Sequence, residues 1–310
     1  MLAHSIGYWL QQFLNALMIA SFYAPLAVAY ALVQGITNKI FLSFGDFTMY
    51  AAFAALYTAL ASLLMGQEAA VTIVGALMLA MLCAAALGRI AATHVFAPLI
   101  GGSAQAFMIG SIGVSIALQE VMRIQSGNRD LWLPPVLEGA SVKIFDGSYP
   151  VQISLMQITA ILTSIVAIAA VVSVMNYSAI GRLWNACSQS EKLAKLCGVN
   201  AMAVFRWTCV GSAALASLSG WIVAMSYGGV NFSMGLMLGF KAMFASVIGG
   251  YGTLRGAIVG AIVLAFAETL WTAIYPSAYR DVAVFSLITL VLMLKPEGLL
   301  DSADRRESEG

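Results

Sequence analysis

Charge is what this sequence has least of: Asp, Glu, Lys and Arg together make up 9% of 310 residues. A soluble domain carries about 25–35% charged residues on its surface, so a chain that is 61% hydrophobic with mean hydropathy +0.90 is excluded from that class. Fifteen Lys and Arg against fourteen Asp and Glu, scattered through short loops, leave no basic stripe and exclude nucleic-acid binding. Imidazoles are nearly absent, with only His4 and His94, and there is neither a His-Glu-x-x-His run nor a Gly-x-x-x-x-Gly-Lys-Ser/Thr loop. The chain is therefore expected to hold no catalytic residue, no metal site and no cofactor of its own. Four cysteines, Cys83, Cys187, Cys197 and Cys209, lack zinc-site spacing and read as reduced packing residues. No basic residue precedes the first apolar run and no small-residue cleavage site follows it, so residues 1–33 read as a retained first span, not a signal peptide.

What is present is a series of long apolar runs. A helix needs about 20 residues to cross a hydrocarbon core, and runs of that order fall at 10–34, 46–65, 69–87, 104–122, 151–175, 207–227, 235–250, 256–275 and 282–294. The seventh is short, and the 35–45 link is apolar enough to dip back into the membrane. The expectation is thus an all-α polytopic membrane protein, a single domain over 1–310 with about 8–9 transmembrane helices. Arg89, Arg182, Lys192, Lys195, Arg206, Lys295, Arg305 and Arg306 all fall on one side under a single threading, which the bias of basic residues makes cytoplasmic. That threading makes 88–103, 176–206 and the 295–310 tail cytoplasmic and 123–150 periplasmic, although Arg123, Arg129 and Lys143 lie in the latter. The side of the N-terminus stays open.

Residues 176–206 form the one sizeable polar and basic island in the apolar second half. Ser188 and Glu191 have the spacing of a capping box, predicting a short helix with Leu193, Leu196 and Cys197 on one face and Gly198 at the left-handed C′ position. A helix of two to three turns is not stable alone, so its apolar stripe requires a partner surface.

Inside the spans, small residues recur every four positions at Gly252, Gly256 and Gly260 and at Ser212, Ala216 and Gly220, the pattern of close helix packing in lipid. Each half also holds one Gly-interrupted short segment, 35–46 and 228–250, a pointer to a transport path. The intramembrane charges are Asp46, Glu120, Lys241 and Glu268. Asp46, three residues after Ser43, reads as part of a helix cap. Glu268 sits well inside its span and needs a partner or water. Lys241 on the neighbouring segment is the expected partner, giving the pair a structural role near the pathway without direct substrate contact.

In order along nearly the whole chain stand several further blocks. They are Gln11-Gln12-Phe13-Leu14-Asn15, Gly45-Asp46-Phe47, Ser111-Ile112-Gly113-Val114-Ser115 with Leu118-Gln119, and Gly127-Asn128-Arg129-Asp130. After them come Gly181-Arg182 with Ala186-Cys187, Cys197-Gly198-Val199-Asn200, Lys241-Ala242, Gly249-Gly250-Tyr251-Gly252-Thr253-Leu254 and Ala267-Glu268-Thr269-Leu270. With these blocks the chain resembles the first of the two paired permeases of bacterial high-affinity branched-chain amino-acid ABC importers. It departs from the family where Phe41-Leu42-Ser43-Phe44-Gly45-Asp46 replaces an Asn-Phe-Ala-His-Gly-Glu run, and where Arg255 replaces Pro. The resemblance implies a type II-like permease in the inner membrane, paired with a second homologous permease as a heterodimer. It also implies a periplasmic binding protein and two cytoplasmic ATPases that carry the ATP and Mg. The island, with Ser188, Glu191, Leu193, Leu196 and Gly198, becomes the ATPase-coupling loop, and Asp46, Lys241 and Glu268 become pathway or structural charges. Branched-chain amino acids are the implied substrate. Urea or short amides carried by the same machine, or an ion-coupled secondary carrier, are the alternatives.

Overall fold

The structure is a computed structural model that describes residues 6–134, 141–145, 150–250, 252–295 and 298–299. His4, Tyr251, the tail cations Arg305 and Arg306, and residues 135–140 and 146–149 of the expected outer loop lie outside the described residues. In chain order the helices are α1 (Ile6–Thr37), α2 (Phe44–Leu64), α3 (Ala69–Ala91), α4 (Ala97–Leu99), α5 (Ala104–Ser126), α6 (Leu155–Tyr177), α7 (Ala179–Gln189) and α8 (Glu191–Leu196). They are followed by α9 (Ala201–Tyr227), α10 (Met234–Gly249), α11 (Leu254–Ile274) and α12 (Arg280–Leu294). A π-turn at Ala92–Phe96 joins α3 to α4 into one rod.

Among the described residues, eight helical stretches are long and apolar enough to cross a membrane. The chain is a multi-pass membrane protein. The exception among the nine expected spans is α10, whose 16 residues rise only about 24 Å against a core of about 30 Å. The most hydrophobic windows of α1 and α9 are 89% and 83% buried, against 11% for α6 and α12, so α1 and α9 form the centre and α6 and α12 the rim. A helix apolar all round belongs in such a centre.

Both small-residue seams pack within this chain. A Cβ on Gly220 would stand 2.1 Å from the Thr48 carbonyl oxygen, which puts the Ser212-Ala216-Gly220 face of α9 against α2. One on Gly260 would stand 2.0 Å from the Ala245 oxygen, so α11 lies on α10. Gly252 is not on that helix. It occupies a left-handed turn (φ +74°) before it.

Three further sequence expectations change. The 35–45 link makes no separate re-entrant segment: α1 continues to Thr37, Asn38 turns the chain (φ 49°), and Phe41 is buried against Phe44, Phe96 and Phe107. The region before α6 is a strand, β3 (Val151–Ser154), pairing with β2 (Ser141–Phe145), and α6 begins at Leu155 under a Ser154–Gln157 capping box. Its companion pair is β1 (Leu131–Trp132) against β4 (Gly229–Val230). Finally, two helices, α7 and α8, occupy the island where one was expected.

Hydrogen bonds sort the connections into two ends. At one, Tyr8 Oη donates to the Ala273 carbonyl (2.9 Å), the Gln152 N–H to Gln11 Oε1 (3.1 Å) and the Leu133 N–H to the Gly228 carbonyl (2.7 Å). The start of α1 therefore shares an end with the strands and with the α11–α12 turn. At the other end, Trp184 Nε1 donates to the Leu32 carbonyl (3.0 Å), and Lys39 Nζ donates to the carbonyls of Ile100 (2.7 Å) and Gly102 (2.9 Å).

Candidate functional site

The two broken segments meet. Gly45, in the first turn of α2, lies so close to α10 that a Cβ on it would stand 2.0 Å from the Gly235 oxygen and 2.6 Å from the Gly239 Cα. Only glycine on both helices permits this approach. Asp46 follows at once, fully buried, and it is not a cap partner for Ser43. The Ser43 hydroxyl donates instead to the Ser111 carbonyl of α5 (2.7 Å), and the Asp46 carboxylate accepts from the Ser115 hydroxyl and from Gln119 Nε2 (2.9 Å). Contacts across to α5 outcompete the local cap because both groups are buried and need partners. Thus α5 presents Ser111, Ser115 and Gln119, one turn apart, as a polar ladder against the start of α2.

Lys241 on α10 and Glu268 on α11 are also buried, 3.2 Å apart, and they are joined by two residues of the α12 first turn. Arg280 Nε lies 3.0 Å from the same Glu268 Oε1, and Asp281 Oδ1 lies 2.7 Å from Lys241 Nζ. Tyr23 of α1 donates to Glu268 Oε2 (2.9 Å). Two cations and two anions balance, which is what a low-dielectric setting demands of buried charge. The inner members have side chains 5% and 2% exposed, whereas Arg280 and Asp281 are each 45% exposed. These outer two face a cavity of about 540 Å³ that is also bordered by Phe22, Met234 and Leu238 and lies at the end carrying β1 and β4. The fourth charge noted in the sequence, Glu120, pairs on the α5 surface with Arg123 (2.6 Å).

In the island, Ser188 and Glu191 do not form a capping box. α7 runs through Gln189, and the Ser188 hydroxyl donates back to the Asn185 carbonyl (2.9 Å). Ser190 caps α8, its Oγ accepting from the Leu193 N–H (3.3 Å), and Glu191 pairs with Lys195 one turn on (2.6 Å). Gly198 takes the left-handed position (φ +80°). Leu193 and Leu196 are 64% and 84% exposed, so the apolar stripe is uncovered by this chain. Its internal contact is made by Ala194 with Cys187 and Ala201, and burial, with Glu191 nearby, pushes the Cys187 thiol up.

A family profile described as the permease component of branched-chain amino acid transport systems matches residues 12–294. The chain belongs to that family. The permease is 32% identical over 298 residues to the high-affinity branched-chain amino acid transport system permease protein LivH of Escherichia coli K12, covering 94% of this chain and 96% of LivH. To the permease protein of the same description, BraD, of Pseudomonas aeruginosa it is 30% identical over 296 residues, covering 95% and 96%. The solved structure of PsaBC from Streptococcus pneumoniae in complex with Fab aligns with a TM-score of 0.47 at 15% identity, covering 92% of both chains.

In the permease, then, the singled-out residues fall into three places. Asp46 sits with Ser115 and Gln119 at the α2–α10 junction. Lys241 and Glu268 stand together in the charge network, and Ser188, Glu191, Leu193, Leu196 and Gly198 lie at the opposite end. Sequence reasoning missed Tyr23, Arg280 and Asp281. The signal for the last two was an adjacent pair of opposite charges between two apolar runs, which reads as a solvated turn until the fold brings α10 and α11 against it.

Proposed function

We propose that the permease is the membrane subunit of an ATP-driven importer that passes branched-chain, aliphatic amino acids into the cytoplasm across the bacterial inner membrane. The match over residues 12–294 carries this reading. Charge distribution sets the orientation in the membrane. Lys39, Arg89, Arg182, Lys192, Lys195, Arg206 and Lys295 belong to the end with α7 and α8, which the preference of basic residues for the cytoplasm makes the inner end. The N-terminus of α1 and the cavity are then periplasmic, facing a soluble binding protein that delivers substrate.

The inner end supplies the coupling surface. Leu193 and Leu196 project from a six-residue helix flanked by Lys192 and Lys195, and a helix that short needs an outside surface to hold it. That surface belongs to one of two cytoplasmic ATPases, which bind ATP and Mg, and a second, homologous permease completes the membrane part as a heterodimer.

Leu193→Asp puts a charge into the apolar contact while disturbing nothing inside this chain, and Gly198→Val strains a left-handed backbone position. Both are expected to reduce ATPase co-purification at least about tenfold, the equivalent of losing one buried apolar anchor of about 1.4 kcal/mol or more. Amino-acid-stimulated ATP hydrolysis should fall with it, while the yield of the Leu193→Asp permease stays normal. Wild-type co-purification and hydrolysis in both variants would remove the docking role.

A further inference from the structure

We infer that the cavity beside Glu268 is a recognition site for the zwitterionic head of a free aliphatic amino acid. In it the Arg280 guanidinium takes the α-carboxylate, the Asp281 carboxylate takes the α-ammonium, and the wall of Phe22, Met234 and Leu238 takes the side chain. This rests on the importer reading above and adds to it a place on the permease where substrate is read.

The four charges are not equivalent. Glu268 is saturated: Lys241, Arg280 and the Tyr23 hydroxyl all converge on its two oxygens. With Lys241 it forms the fixed floor, nearly closed to solvent. Arg280 and Asp281 form the adjustable rim. The guanidinium comes closest to both Glu268 and Asp281 through Nε, so its terminal N–H groups are the planar fork left to take a carboxylate. Asp281 meets Lys241 through Oδ1 (2.7 Å), a buried atom, and its side chain is 45% exposed, so the other carboxylate oxygen is the one left for a donor in the cavity. Arg280 and Asp281 stand within ion-pair reach of each other (Nε to Oδ1 3.7 Å), which sets the two side chains as close together as the two charged groups borne on a single α-carbon.

Charge balance selects the ligand class. The four-charge network is neutral, with Asp130 a further carboxylate on the cavity border bonded to Asn231, so a zwitterion adds no net charge to the network. A lone anion or cation would add net charge to these four groups, and uncharged urea brings no charge for Arg280 or Asp281 to pair. The volume of about 540 Å³ lies within the roughly 300–1,000 Å³ of small-ligand sites. Beside the charges stands the apolar wall, which an aliphatic side chain needs and an amide does not. Trp132 and Asp130, on and next to β1, together with Asn231, next to β4, border the same cavity.

The test uses the full-length permease with its partner subunits in lipid nanodiscs and saturation-transfer NMR, which reads weak binding. The probes are leucine, 3-methylbutylamine (no carboxylate), 4-methylpentanoate (no ammonium) and urea. The wild type is expected to prefer leucine over the amine and the acid by about tenfold to a hundredfold, the worth of one charge-assisted hydrogen-bond set. Arg280→Gln should abolish the preference over the amine and leave that over the acid, Asp281→Asn should do the reverse, and Arg280→Lys should restore part of the loss. A merely structural role would weaken all probes together without reordering them. If Arg280→Gln does not fold, the reordering in Asp281→Asn decides alone. Absence of leucine transfer to the wild type, or an unchanged order of probes in the variants, overturns the site. Uptake is measured in parallel. Wild-type leucine uptake with an unchanged probe order in the variants rejects the site and keeps the importer, whereas ranked binding without uptake upholds the site and rejects the importer.

Discussion

Glu268→Gln alone is expected to destabilise the permease more than Glu268→Gln combined with Lys241→Met. Removing the Glu268 charge leaves Lys241 and Arg280 against Asp281 alone, an unbalanced cation in a setting where Lys241 is nearly closed to solvent. Breaking one side of a buried pair costs about 3–5 kcal/mol. The double change leaves Arg280 and Asp281, already 3.7 Å apart, to pair with each other, and the amide that replaces the Glu268 carboxylate still offers an oxygen to the Tyr23 hydroxyl. Methionine fills much of the space of the lysine stem. The double variant should therefore recover about half or more of the loss, read as folded yield and unfolding midpoint in detergent. Single losses that simply add would show that the two charges are not coupled.

Gly45→Ala is expected to be among the most damaging single-methyl additions in the protein. In an unconstrained helix this exchange gains about 0.5–1 kcal/mol. Here the new carbon would fall 2.0 Å from the Gly235 oxygen and 2.6 Å from the Gly239 Cα, both backbone atoms that no rotamer change can move. α2 and α10 must part, at about 3 kcal/mol or more, the upper end of the overpacking range. Asp46 would shift with α2 away from Ser115 and Gln119. Gly113→Ala supplies the control, because nothing stands within 4 Å of its added carbon. Its variant should unfold at or slightly above the wild-type temperature, while Gly45→Ala falls by several degrees and loses transport. Equal behaviour of the two would deny the close junction.

Most of the helical plan was legible in the sequence because lipid imposes a simple length rule, and the runs at 104–122 and 207–227 fall inside α5 and α9. The Lys241–Glu268 proximity was legible for the same reason, since a buried charge must find an opposite one nearby. What escaped was decided by tertiary competition. Ser188 and Ser190 are both fit to cap a helix, and α7 running on to Gln189 selected the second. Ser43 had the right spacing to cap α2, yet its hydroxyl is bound to the Ser111 carbonyl across the interface. The short strands carry too few residues for a period-2 pattern to show. Arg280 and Asp281 enter the network only because α12 begins beside α10 and α11, a contact no local pattern records.

The most direct measurement is ATP-dependent uptake into proteoliposomes that contain the permease, its paired permease and the two ATPases, with binding protein outside. Labelled leucine and labelled urea are offered in turn. The expected result is leucine accumulation that requires ATP and binding protein, persists when proton and sodium gradients are collapsed, and is not matched by urea. Leucine uptake driven by an ion gradient without the ATPases, or urea accumulating in place of leucine, would contradict the account.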